Sequence, residues 1–139
     1  MSIYLFDSDT FSHFKYRNPA LERQMALHES DVFGLTMVTV EEALGGWYKQ
    51  LRQARTHAEV AKSSRSSALT MQLMSSFQVF PETEKSLEAT DQIVKAKLNI
   101  GKMDIRIAAI ALELVATVVT RNTRDFSRIP NLMIADWTV

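Results

Sequence analysis

The chain is 139 residues long with 46% apolar and 23% charged residues, which at roughly 150 residues per domain points to one compact domain, residues 1–139. Sixteen Lys and Arg balance sixteen Asp and Glu, which excludes the overall basic footprint of a typical nucleic-acid binder but leaves room for a segregated basic face. The absence of cysteine excludes a disulfide framework, a thiolate metal site and a thiol nucleophile.

Residues 3–6 are a wholly apolar run that stops at Asp7, the pattern of a strand buried on both faces. A short helix over 9–14 follows, then a second over 20–28 with Pro19 at its start. Residues 32–38 read as a second buried strand. Thr39, with Glu42 three residues on, has the spacing of a capping box and starts a helix. From there to about residue 68 the chain is polar and helical, and residues 49–65 carry a net charge of +4, either a solvated face or a basic track. The Ser-rich stretch 63–67 marks a bend. Residues 71–74 continue as helix, and 77–80, closed by Pro81, form an edge strand. A helix over 84–98 is broken at Gly101, and Asp104 opens a strongly apolar, buried helix. Short strands over 116–120 and 132–134 close the chain. Trp47, Tyr48 and residues 71–74 read as core or interface.

Strands alternating with helices, and apolar throughout, predict an α/β fold with a mostly parallel central sheet of four to five strands and helices on both faces. The opening apolar stretch is too short for a secretory signal, and the run 107–119, cut by Glu113 and Thr117, falls short of a membrane span. A cytoplasmic protein without membrane contact is expected.

In such sheets ligands gather beyond the carboxyl ends of the strands. Asp7, Glu42, Asp104 and Asp125 all follow predicted strands or open helices, with Asp9 close to Asp7. Carboxylates brought together there need a counter-cation, and an all-oxygen set favours Mg²⁺ or Mn²⁺ over zinc. Each acid also has a plain structural use: Glu42 in a capping box, Asp104 at a helix start, Asp125 in a turn. Asp7, a charge closing a buried strand, is the hardest to explain that way. His13, His28 and His57 are scattered and read as surface groups.

These residues also carry a resemblance. The strings Leu5-Phe6-Asp7-Ser8-Asp9, Thr39-Val40-Glu41-Glu42, Asp104-Ile105-Arg106-Ile107-Ala108-Ala109 and Thr120-Arg121-Asn122-Thr123-Arg124-Asp125-Phe126, with a terminal Asp136-Trp137, resemble in order and spacing the motifs of PIN-domain ribonucleases, most closely the VapC toxins of bacterial toxin–antitoxin pairs. The family commonly has Asn at Asp9 and Gly at Asn131; Asn also tolerates a left-handed turn. Glu41 beside Glu42 leaves two registers, and the spacing from Thr39 selects Glu42.

The resemblance implies a single PIN-like domain and Mg²⁺-dependent endonucleolytic cleavage of RNA, such as tRNA, by a metal-activated water. It assigns Asp7 and Asp104 as metal ligands and Glu42 and Asp125 as ligands or water-mediated supports. Asp9, Thr120 and Asn122 are supporting candidates, the last two through the water or phosphate or as ordinary turn residues. Arg106, Arg121 and Arg124, next to motif acids, are candidate RNA contacts. A cognate antitoxin and a homodimer are the implied partners. Two rivals remain. Asp7-Ser8-Asp9-Thr10 also fits the opening motif of a haloacid-dehalogenase-type phosphatase, with Asp7 as nucleophile and Asp9 as acid/base. The other rival is a non-catalytic PIN-like binding module.

Overall fold

A computed structural model describes all 139 residues. Five strands, β1 (Ile3–Phe6), β2 (Val32–Thr36), β3 (Gln78–Phe80), β4 (Thr117–Val119) and β5 (Met133–Ala135), form one sheet in the order β3-β2-β1-β4-β5. Every pairing is parallel, so each connection must cross over, and helices supply the crossovers. These are α1 (Ser8–Lys15) and α2 (Pro19–Leu27) after β1, then α3 (Met37–Gln53) and α4 (His57–Met74) after β2. They continue with α5 (Glu84–Lys95) and α6 (Lys102–Leu114) after β3, and α7 (Thr123–Phe126) after β4.

The two-residue period of a strand divides the core between the sheet's faces. Leu5 and Val118, paired in register, join Val38, Ile107, Ile110 and Phe126 in one cluster. Their neighbours Phe6 and Val119 join Phe11, Leu21, Met74, Phe77 and Trp137 in the other. The apolar run of β1 is therefore a strand covered on both sides, as its sequence predicts. Gly34 in β2 leaves room for the edge strand's Phe80: a Cβ at this position would stand 2.6 Å from the Phe80 ring.

Four expectations change. The second strand ends at Thr36, not residue 38, and Thr36 caps α3 by accepting a hydrogen bond from the Thr39 amide at 3.2 Å. Thr39 is thus buried inside the first turn, and the capping box it was expected to form with Glu42 does not exist. The basic segment is two helices, not one, broken at residues 54–56, where Thr56 caps α4 and the Arg55 amide donates to Glu59. Residues 63–67 lie within α4 and do not bend it. The short helix α7 was not anticipated. No helix is long and apolar enough to cross a membrane.

Candidate active site

The strand order reverses at β1, whose neighbours β2 and β4 lead off in opposite directions along the sheet. This is where a parallel α/β sheet opens a crevice beyond its strand ends. Asp7, the next residue after β1, caps α1: its Oδ1 accepts from the Thr10 amide at 2.9 Å. Its Oδ2 accepts from the Thr120 hydroxyl, just beyond β4, at 2.5 Å. Both residues are buried. A carboxylate oxygen has two lone pairs, so each Asp7 oxygen keeps one for a further partner.

Thr120 leads on to the other acids. Its Oγ1 also accepts from the Asn122 amide at 2.9 Å, and the Asn122 side-chain Nδ2 donates to Asp104 at 3.3 Å and to Asp125 at 3.1 Å. Asp104 stands in the first turn of α6 and Asp125 in α7. Glu42, on α3, accepts from the Ser8 hydroxyl at 3.3 Å. Four helices thus deliver one acid each, as cap or side chain, to the ends of β1 and β4.

The electrostatics tie the four into one field. Burial pushes the Asp104 carboxyl above the ordinary carboxylate range; the charge on Asp7 adds to this, the Asn122 hydrogen bond opposes it, and the charge on Asp125 adds further. Glu42, though exposed on α3, is likewise raised, first by partial desolvation, against the Ser8 hydrogen bond, and then by the charges of Asp104, Asp7 and Glu41. Neighbouring acids raised in this way mark a candidate functional site. As the side chains stand, no three of the chain's Asp, Glu and His residues are close enough together to hold a metal ion between them. The donors are all oxygen, and one or two such carboxylates are enough for a hard divalent cation that keeps several of its waters.

The other expected residues fall elsewhere. Asp9 faces out from α1, 3.6 Å from Arg121 and 4.0 Å from His13. For the phosphatase reading Asp9 would have to serve beside Asp7, whereas it belongs to this surface group. Arg106, expected to contact RNA, is instead held by both oxygens of Glu82, with Nε donating at 3.0 Å, and by Glu41 at 3.1 Å. These hydrogen bonds raise its already high pKa and lower that of Glu82. Arg106 is a clasp between α6, α3 and the loop after β3. Arg121 is engaged by Asp9 and His13, while Arg124 is exposed. His28, expected at the surface, is half-buried and stacks on Trp137 with ring centroids 4.7 Å apart.

Ser8 and Arg128 escaped sequence reasoning. Arg128 lies 3.5 Å from Asp125 while donating to the carbonyls of Leu98 and Asn99. Ser8 adjoins a motif acid and was findable on that ground; the three-residue spacing of Arg128 from Asp125 was its only signal.

No family model matches the chain. Ribonuclease VapC2 of Rickettsia felis is 40% identical over 50 residues, 36% of this chain and 37% of that protein. A chain of VapBC2 from Rickettsia felis, solved bound to a DNA fragment from their promoter, superposes with a TM-score of 0.77 at 20% identity, covering 97% of this chain and 98% of that one. VapBC-1 from nontypeable Haemophilus influenzae and DNA-bound VapBC from Salmonella typhimurium each give 0.79 at 23% identity over 99% of both chains. This chain has the fold of these VapBC chains. The mostly parallel sheet of four to five strands that the sequence predicts is present with five strands, all parallel, and with its flanking helices, and the acids stand at the carboxyl ends of β1 and β4.

Proposed function

We propose that this PIN-domain chain is a divalent-cation-dependent endoribonuclease and the toxin of a toxin–antitoxin pair. The observation that carries the reading is the meeting of Asp7, Glu42, Asp104 and Asp125 in one field, with Asp104 raised by burial and by the charges of Asp7 and Asp125, and Glu42 raised by desolvation and by the charges of Asp104 and Asp7. The local identity with Ribonuclease VapC2 supports the reaction class, since it is a sequence match as well as a likeness of fold.

Asp7 and Asp104 would hold the cation, Mg²⁺ or Mn²⁺, with Glu42 and Asp125 as further ligands or supports through water. When bound, the ion supplies a lowered water pKa and neutralises charge on the scissile phosphate. The protein's own part is orientation. Thr120 fixes Asp7, Asn122 sets the distance between Asp104 and Asp125, and Ser8 turns Glu42 toward the others. The Arg106 clasp, two residues beyond Asp104 and bonded to Glu41 beside Glu42, holds the helices of these two acids in fixed relation. Water attacks phosphorus in line, the P–O3′ bond breaks, and the 3′ oxygen takes up a proton, which leaves a 5′-phosphate and a 3′-hydroxyl.

The partners follow the same reading. Leu44, Tyr48 and Leu51 are 49%, 64% and 50% exposed and stand at helical spacing on α3, an apolar stripe of the kind covered by a protein partner. The cognate antitoxin and a second copy of the chain are the partners proposed. The test is incubation with total RNA and Mg²⁺, followed by mapping of new 5′ ends. Discrete 5′-phosphate ends that vanish with EDTA are expected. Ends bearing 5′-hydroxyls, or cleavage that persists in EDTA, would contradict the reading.

A further inference from the structure

Beside the acids lies an open cleft of about 320 Å³ between α1, α3 and α4, lined by Ser8, Ser12, Lys15, Glu42, Trp47 and Thr70 among others. Its position is not independent of the acid site, because Ser8 and Glu42, joined by a hydrogen bond, form the shared wall. We propose that this cleft is a nucleotide subsite, holding the phosphate and base of a nucleotide flanking the scissile phosphate of an RNA. The inference rests on the ribonuclease reading and names the residues that would engage the strand away from the reacting atoms.

Three features point to a nucleotide. Lys15 brings a positive charge into the cleft, yet its Nζ bonds only to hydroxyls, to Thr70 at 3.0 Å and Ser66 at 3.5 Å, with its other neighbour the Tyr16 ring. None of the chain's ion pairs includes it. An ammonium among hydroxyls and without a carboxylate is prepared for an anion with several acceptor oxygens, and phosphate is such an anion. Trp47 supplies the second feature. It is half-buried, packs against the cluster containing Phe11 and Met74, and lines the cleft. An indole set on rigid packing offers a surface on which any base stacks. The third is charge order: a single cation on the far side of a four-acid pocket defines a direction for a polyanion, one phosphate at the acids and a neighbouring one at Lys15.

The experiment uses a fluorescein-labelled mixed-sequence hexaribonucleotide in Ca²⁺, read by anisotropy and by tryptophan quenching, beside Mg²⁺-supported cleavage of the same oligonucleotide. Lys15→Met and Trp47→Leu are each expected to weaken binding by about tenfold, with KM raised and kcat little changed. Lys15→Met should also lower the slope of log affinity against log salt by about one. Quenching should disappear with Trp47→Leu, and the conservative variants Lys15→Arg and Trp47→Phe should recover most of the affinity. Wild-type affinity and KM in Lys15→Met and Trp47→Leu, with cleavage intact, would overturn the subsite and leave the nuclease reading standing; a cleft that takes up a peptide of the antitoxin instead would give this result. Absence of Mg²⁺-dependent cleavage by the wild-type protein would overturn the nuclease reading itself, and the subsite with it.

Discussion

Asp104 is under two opposed demands, because the burial and neighbouring charges that prepare it for a cation also make its ionised form costly to the fold. Its folded pKa lies above the ordinary 3.8, so the native state binds more protons than the unfolded chain between those two values. Its contribution to stability is therefore fully present below the ordinary value and is lost as pH rises through the raised one; Glu42, raised from 4.5, adds in the same sense. Asp104→Asn, which keeps an oxygen for Asn122, is expected to raise the melting temperature of the metal-free protein at neutral pH and to flatten that limb of the stability curve. The same change should lower RNA cleavage by at least about 100-fold, beyond the 10- to 100-fold typical of an outer-shell partner. Thermal melts across pH beside cleavage assays check both halves. Asn122→Ala removes the bridge between Asp104 and Asp125, and a loss of about 10- to 100-fold in metal affinity is expected by calorimetry.

At the scale of elements, the boundaries written in local chemistry were legible and those written by distant contacts were not. The end of β1 at Asp7 is local, since an apolar run meets a charge that caps the next helix. Thr36 and Thr39 both have the chemistry of a cap, and the choice of Thr36 follows its place as the last residue of β2, in register with Phe80 of β3. The break between α3 and α4 has neither Gly nor Pro, but Thr56 and Glu59 have a capping spacing that announces a helix start. The Arg106 clasp spans 65 residues to Glu41 and 24 to Glu82, and no local pattern encodes it. Asn131 does adopt the left-handed conformation its chemistry allows, at φ 67°. Val115, which ends α6 at φ 55° and is 75% exposed, holds a conformation that suits glycine far better than a β-branched residue. Val115→Gly is expected to stabilise the protein by about 1 kcal/mol in urea denaturation, having no buried contacts to lose. Gly34→Ala drives a methyl into the Phe80 ring, and a loss of about 1–3 kcal/mol is expected in the same measurement.

Over the whole molecule, the net charge of zero includes four acids gathered in one crevice. The four acids of the crevice are counted against sixteen cations, yet with a divalent ion bound they no longer face solvent as four full negative charges. On the ribonuclease reading proposed above, Lys15 and Arg124, which no ion pair holds, would offset the charge an RNA strand brings. That account depends on the acids being a cation site. The most direct measurement is calorimetric titration of Mn²⁺ into the wild-type protein and into Asp104→Asn at neutral pH. Saturable binding to the wild type, weakened at least about tenfold in the variant, is the expected result. Equal affinity in the two proteins, or no binding to the wild type, would contradict it.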